Sequence, residues 1–124
     1  MEKSIRIDGR DVPFRATAAV PRLYRIKFGR DIMQDMKSIR DDVEKAQNGE
    51  KPIPVKTLEV FENVAYLMAK HADPSLEAKS PEEWLDGFNT FSIYAVFPQI
   101  LELWAANNAT LSAPKKKVTR STGR

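Results

Sequence analysis

Histidine and cysteine are the residues most often used for catalysis and metal binding, and this chain has few of them. His71 is the one histidine among the 124 residues, and there is no cysteine. A catalytic histidine needs an oriented partner beside it, and a metal site needs several ligands. The sequence suggests neither near His71, which lies close to the predicted end of a helix. We therefore interpret His71 as a residue that interacts favourably with the helix C-terminus.

Two pairs of adjacent carboxylates, Asp41-Asp42 and Glu82-Glu83, are the next candidates for acid–base chemistry. Adjacent residues of a helix do not face each other, so the side chains of each pair diverge. Solubilising and capping roles fit these acids better than catalysis. The chain also lacks the GxSxG, HExxH, Walker-type and GxGxxG patterns. The sequence predicts no enzyme, no cofactor and no metal site.

A run of cationic residues in "PRLYRIKFGRDIMQDM", positions 21–36, could instead contact a phosphate backbone. These residues are Arg22, Arg25, Lys27 and Arg30. Apolar residues recur between them at helical spacing, and Asp31 and Asp35 lie within reach of neighbouring cations. We therefore favour the solvated side of a buried helix, with part of its charge neutralised. A small nucleic-acid-binding protein that uses these residues and the basic C-terminal tail is the alternative.

The net charge of +3 is unevenly distributed along the chain. Five basic residues and no acid lie in 112–124, which leaves 15 basic against 17 acidic residues, about −2, in residues 1–111. We expect 112–124 to be a disordered basic tail, because it has small polar residues and no apolar periodicity. It also lacks aromatic side chains that could stack on bases. No apolar run approaches the roughly 20 residues that span a bilayer, so no membrane role is predicted.

The elements that must position these residues begin with a hairpin at about residues 3–17. Ile5 and Ile7 alternate with polar residues, and Val12 and Phe14 repeat the alternation after Asp8-Gly9. Asp-Gly favours a two-residue hairpin turn, because glycine supplies positive φ without steric cost. Pro13 has no N–H to donate, so it must occupy an edge strand.

Two long helices are predicted next. Pro21 suits the first turn of a helix that continues to about Gln47, where Asn48-Gly49 can cap it. Its apolar stripe consists of Tyr24, Phe28, Ile32, Met36, Ile39 and Val43. Gly29 inside this helix costs about 1 kcal/mol of helix propensity and indicates close packing or a slight bend. The second helix is "VKTLEVFENVAYLMAKHA", which Asp73-Pro74 should end.

The remaining helices are a short one over 81–88 and a long one over about 90–110. Ser80 can cap the short helix, and Pro81 suits its first position. Pro98 should kink the long helix or start a new turn. These elements predict a mainly α fold of four to five helices with a small N-terminal β-hairpin, forming a single domain over residues 1–111.

The last predicted helix is apolar on nearly all sides, which indicates burial in a core or against a partner. One of its faces consists of Phe91, Tyr94, Ala95, Pro98, Leu101 and Ala105. The other consists of Ile93, Phe97, Ile100 and Trp104. Core packing is the simpler interpretation for these residues. Part of this helix could also form a surface that binds apolar segments of another protein. The candidate contact residues are Phe91, Tyr94, Phe97 and Trp104.

Three segments together resemble a known protein family. They are "ATAAVPRLYRIKFGRDIMQDM", "LEVFENVAYLMAKHADP" and "EEWLDGFNTFSIYAVFPQILELW", followed by a lysine-bearing tail. In order and spacing the chain resembles the tail assembly chaperones of long-tailed (siphovirus-type) bacteriophages and prophages of Gram-positive bacteria. The resemblance covers nearly the whole chain.

The resemblance implies a chaperone that binds the tape measure protein, keeps it soluble and helps to recruit the major tail (tube) protein. It implies action in the host cytoplasm, absence from the mature virion and possible self-association. Many such proteins also have a longer form made by ribosomal frameshifting, and Lys115, Lys116 and Lys117 are the candidate frameshift position. The family has no catalytic residues to transfer. A structural tail component that stays in the virion is a further possibility.

Overall fold

The structure, a computed structural model, describes the backbone of residues 1–112 and the side chains of residues 1–107. Two strands precede five helices: β1 (Glu2–Ile7), β2 (Arg10–Arg15), α1 (Val20–Phe28), α2 (Ile32–Gln47), α3 (Val55–Ala72), α4 (Pro81–Leu85) and α5 (Ile93–Ser112). The predicted mainly α fold with an N-terminal hairpin is confirmed. Ser112, the first residue of the predicted disordered tail 112–124, belongs to α5, and the rest of that tail, with its three lysines, lies outside the described residues.

The hairpin has the predicted turn. Asp8 and Gly9 both have positive φ, 55° and 77°, and Ile7 pairs with Arg10 across the turn. Met1 and Ala16 exchange two backbone hydrogen bonds. Residue pairs along an antiparallel ladder are alternately hydrogen-bonded and non-hydrogen-bonded, and Ser4–Pro13 is a non-hydrogen-bonded pair. A backbone N–H at position 13 would therefore point away from β1. Proline fits because no ladder hydrogen bond is lost.

The predicted single helix from Pro21 to Gln47 is wrong, because the chain breaks between α1 and α2. Gly29 adopts a left-handed conformation, with φ 66°, and donates its N–H to the Arg25 carbonyl. The Asp31 side chain then accepts a hydrogen bond of 2.9 Å from the Met33 N–H and begins α2. A glycine C-cap and an aspartate N-cap thus lie two residues apart, so the end of α1 and the start of α2 each have a capping hydrogen bond.

The other predicted helix ends hold with small shifts. Asn48 caps α2, Asp73 caps α3, and Ser80 accepts a hydrogen bond from the Glu83 N–H. The short helix ends at Leu85 and α5 begins at Ile93, so residues 86–92 are not helical. The helix α5 runs through Pro98 as one element and ends at Ser112, one residue past the predicted domain boundary.

Helix α3 forms the centre of the molecule. The hairpin strand β2 and the other four helices all contact it. Six consecutive residues, Val64–Ala69, are buried, so this part of α3 is enclosed on all its faces. Aromatic rings extend the core from α3 towards α4 and α5. Trp84 is 5.3 Å from Phe91 between ring centroids, and Phe61 is 5.4 Å from Phe91.

Candidate functional site

The four aromatic residues predicted to bind a partner do not share one surface. Phe97 and Trp104 are buried, with 2% and 5% of their surface exposed, and they belong to the core. Phe91 precedes α5 and is half-buried in a stack on Phe61. Tyr94 is 49% exposed. Sequence periodicity alone could not tell the buried face of α5 from the exposed face, and Tyr94 is the one exposed residue of these four.

The outer side of α5 nevertheless carries an apolar stripe. Tyr94, Pro98, Leu101 and Ala105 follow one another at spacings of four, three and four residues, so they lie along one helix face. Leu101 is half-buried and the other three are exposed. We call these four residues the α5 stripe. It corresponds to the first of the two faces recognised in the sequence.

One wall of a groove is formed by three residues of the α5 stripe, Pro98, Leu101 and Ala105, and the other wall by α2. Tyr94 continues the stripe beyond this groove. The wider part has a volume of about 360 Å³ and is lined by Met33, Met36, Lys37, Arg40, Leu101, Trp104 and Ala105. A second hollow of about 160 Å³ is lined by Arg40, Val43, Glu44, Gln47, Phe97, Pro98 and Leu101. Arg40 and Leu101 line both parts, so the two hollows form one α2–α5 groove. It is large enough to receive several apolar side chains.

The α2 side of the groove combines an exposed thioether with cations. Met33 is 53% exposed, and methionine adapts readily to differently shaped apolar partners. Lys37 has no ion-pair partner among residues 1–107, and the Arg40 Nε atom is a loose 3.8 Å from the Asp41 carboxylate. Met33, Lys37 and Arg40 were not among the contact residues predicted from the sequence. Their spacing, 33, 37 and 40, was the available sign, because it places them on one helix face beside the buried stripe.

The cationic residues of α1 are arranged differently from the prediction. Asp35 is buried and accepts hydrogen bonds from the Tyr24 hydroxyl (2.7 Å) and from two Arg30 nitrogens (2.8 Å each). Asp31 caps α2 instead of pairing with a cation. The predicted neutralisation therefore applies to Arg30 alone. Arg22 and Arg25 stay exposed and unpaired within the described part of the chain.

The Arg30–Asp35 pair also shifts the pKa values of the groups around it. Burial works against ionisation of Asp35, but the hydrogen bonds from Arg30 and Tyr24 and the Arg30 charge together lower its pKa. Burial, followed by the hydrogen bond to Asp35, raises the pKa of Tyr24. Asp35 is thus held as a carboxylate between two donors, and its lowered pKa makes it a weaker base than an ordinary aspartate. Arg30, committed to Asp35, is not free to bind phosphate.

His71 lies in the last turn of α3, where its Nε2 atom is 2.8 Å from the Thr17 hydroxyl oxygen. Its pKa is lowered, first by burial and then by the charges of Arg15 and the N-terminal amine. Neutral His71 therefore links α3 to the segment after the hairpin. Across the described residues, no group of three or more His, Asp and Glu side chains could hold a metal ion.

No family model, curated protein or solved structure matches this chain. None of the helices within residues 1–112 has the length and apolar character needed to cross a bilayer. Of the surfaces described, the α2–α5 groove has the strongest features of a protein-binding site, because an exposed apolar helix face adjoins a concave apolar floor.

Proposed function

We propose that this protein is a tail assembly chaperone of a long-tailed bacteriophage or prophage. In this role it binds the tape measure protein, keeps it soluble and assists assembly of the major tail (tube) protein around it. The observation that carries the proposal is the α2–α5 groove, an apolar surface open to solvent on a folded helical scaffold. The tape measure protein is proposed as the partner because three sequence segments resemble this family.

The chemistry of the groove suits a helical partner. An amphipathic helix can lay its apolar ridge against the α5 stripe, with side chains at helical spacing entering the two hollows. Burial contributes roughly 25 cal/mol per Å² of apolar surface, less the cost of association. A shallow groove therefore gives modest affinity at each contact. Modest affinity suits a chaperone that binds repeatedly along a long partner and later leaves it.

Co-expression with the tape measure protein tests this proposal. Met33→Glu and Ala105→Glu, alone and combined, place a charge on either side of the groove at positions that are exposed. We expect the double variant to leave the tape measure protein insoluble. Val55→Glu is the matched control, because Val55 is 82% exposed on α3 and lines neither hollow. A tape measure protein that stays soluble with the double variant would refute this use of the groove.

The remaining parts of the proposal need separate measurements. Action in the host cytoplasm and absence from the mature virion predict that purified particles lack this chain, whereas a structural tail component would be retained. A steep dependence of duplex DNA binding on salt would instead support the nucleic-acid alternative. Self-association can be measured by sedimentation of the purified chain at several concentrations.

The longer form is tested by the gene itself. We propose that translation shifts frame at the codons of Lys115, Lys116 and Lys117, so that the longer product shares residues 1 to about 117. Slippage requires codons that can re-pair after a one-base shift and an open reading frame beyond them. The nucleotide sequence decides both points, and the absence of either one excludes the frameshifted form.

A further inference from the structure

A second groove lies between α1 and the C-terminal end of α3. It has a volume of about 270 Å³ and is lined by Leu23, Leu67, Lys70, His71 and Pro74. None of these residues lines the α2–α5 groove, so the two surfaces are separate. Three of the five lining residues are apolar and none is acidic. We call this feature the α1–α3 groove.

Helix α1 extends the apolar floor of this groove onto the open surface. Ile26 follows Leu23 by three residues, so the two side chains are neighbours on the helix. Ile26 is 72% exposed, and among the large apolar residues whose side chains the structure describes only Val55 is more exposed. A single exposed isoleucine is common on protein surfaces. Beside an apolar groove, however, it enlarges the area that a partner can bury.

Cations surround this apolar surface. Helix α1 contains no acidic residue, and Arg22 and Arg25 are exposed without an ion-pair partner among the described residues. Lys70 lines the groove and donates to the Leu76 carbonyl, so its charge is not neutralised. Arg15 lies near enough to His71 to interact with it electrostatically. The nearest acid in sequence, Asp73, accepts hydrogen bonds from Ser75.

We infer that the α1–α3 groove and the adjoining face of α1 form a second docking surface, which binds an amphipathic helix carrying carboxylates beside its apolar ridge. The cations around the groove favour a partner that carries carboxylates, and the apolar floor with Ile26 favours a partner with an apolar ridge. Arginine is also among the residues that contribute most to binding energy at protein interfaces. This inference does not depend on the identity of the ligand in the α2–α5 groove.

The same features disfavour nucleic acid as the occupant. A phosphate backbone cannot use an apolar floor, and two unpaired arginines provide few phosphate contacts. Tyr24 is buried, so α1 does not present its tyrosine ring for base stacking. Arg30 is committed to Asp35 and does not extend the cationic surface.

The test uses the full chain and two synthetic helical peptides that share one apolar ridge. One peptide has Glu beside the ridge and the other has Lys. We expect the Glu peptide to shift the backbone amide NMR signals of α1 and the end of α3, and to bind at least about tenfold more tightly than the Lys peptide, a difference of about 1.4 kcal/mol. Arg22→Glu combined with Arg25→Glu should weaken binding of the Glu peptide by about tenfold or more, and Ile26→Ser should also weaken it.

Lys45→Glu combined with Lys51→Glu is the matched control, because it reverses two exposed charges that line neither groove and should leave this affinity unchanged. All the substituted positions are exposed, and thermal unfolding of each variant confirms that it is folded. Equal binding of both peptides, or signal shifts confined to α2 and α5, would overturn the inference. So would tighter binding of duplex DNA than of the Glu peptide, or self-association abolished by the α1 variants, because either result would assign the surface to another occupant.

Discussion

At the level of single residues, the Tyr24–Asp35–Arg30 network joins two helices across a break in the chain. Its buried carboxylate accepts one hydrogen bond from the Tyr24 hydroxyl and two from the Arg30 guanidinium. Hydrogen bonds in which one partner is charged are stronger than neutral ones, and the forked geometry fixes their direction. The network therefore sets the relative position of α1 and α2, and with it the position of the cationic face of α1.

Replacing the acid of this network should destabilise the fold. Asp35→Ala leaves the Tyr24 hydroxyl buried and without its acceptor, so we expect the free energy of unfolding to fall by about 1–3 kcal/mol in urea titrations. Tyr24→Phe removes the hydroxyl itself and should cost less. The double variant should cost less than the two single changes added together. Wild-type stability of Asp35→Ala would show that the network contributes nothing.

His71 should make the stability of the fold depend on pH. Its pKa is lowered in the folded state, so just below the ordinary value of about 6.5 the unfolded chain binds more protons than the folded chain. Stability should therefore be greatest above pH 6.5 and fall as the pH drops below it through the folded pKa. Urea unfolding at about pH 7.5 and about pH 5.5 measures the change.

His71→Gln is the control for this pH effect. Glutamine does not titrate, so the part of the pH dependence due to His71 should be absent in this variant. NMR titration of the ring protons provides an independent check. A ring pKa at or above 6.5 in the folded protein would contradict the prediction.

At the level of elements, the break at Gly29 lets one apolar pattern supply two helices. Tyr24 of α1 and Ile32, Met36, Ile39 and Val43 of α2 are all buried, although the helices are separate. A continuous helix would have placed Asp35 eleven residues along the same axis from Tyr24, about 16 Å away at 1.5 Å per residue. The 2.7 Å hydrogen bond between their side chains therefore depends on the break.

Gly29→Ala tests whether the left-handed conformation matters. A Cβ at this position would meet no atom within 4 Å, so the cost is conformational and should be about 1–2 kcal/mol in urea unfolding. Gly87→Ala is the matched control, because its backbone is outside the positive-φ region and the added Cβ would make an ordinary contact with the Trp84 carbonyl. Equal effects of the two changes would show that the backbone conformation of Gly29 is not the cause.

At the level of the whole molecule, α5 serves both the core and the surface. Phe97, Ile100 and Trp104 are buried, and the α5 stripe lies outside on the same helix. Phe97→Ala should lower the free energy of unfolding by about 3–5 kcal/mol, because it opens a cavity in the core. Tyr94→Ala should change it by no more than about 0.5 kcal/mol. Thermal or urea unfolding distinguishes the two, and similar costs would contradict the assignment of the faces.

The two grooves suggest how the molecule is organised for binding. The α2–α5 groove is mainly apolar with a few charges at its edge, and the α1–α3 groove is bounded by cations. They share no residue, so two partners could bind one copy of the chain at the same time. A chaperone that brings a tape measure protein and a second tail component together would need such an arrangement.

The sequence by itself determined the features that depend on neighbouring residues. The turn at Asp8-Gly9, the edge position of Pro13, the cap at Ser80 and the helix end at Asn48-Gly49 all follow from backbone preferences within a few residues. The mainly α class followed for the same reason, because apolar periodicity is a local property. Gly29 was ambiguous, since glycine can lie inside a helix at modest cost or end it.

Only the tertiary structure decided which apolar residues are buried. Both faces of α5 have the right spacing for a core, and packing against α3 and the hairpin placed Phe97 and Trp104 inside while leaving Tyr94 outside. The α2–α5 groove joins residues that are distant in sequence, such as Met33 and Leu101, which are 68 positions apart. The inward position of Asp35, between Tyr24 and Arg30, is likewise visible only in the folded chain. Which of two apolar helix faces is buried is set by distant contacts, and local periodicity cannot distinguish the two faces.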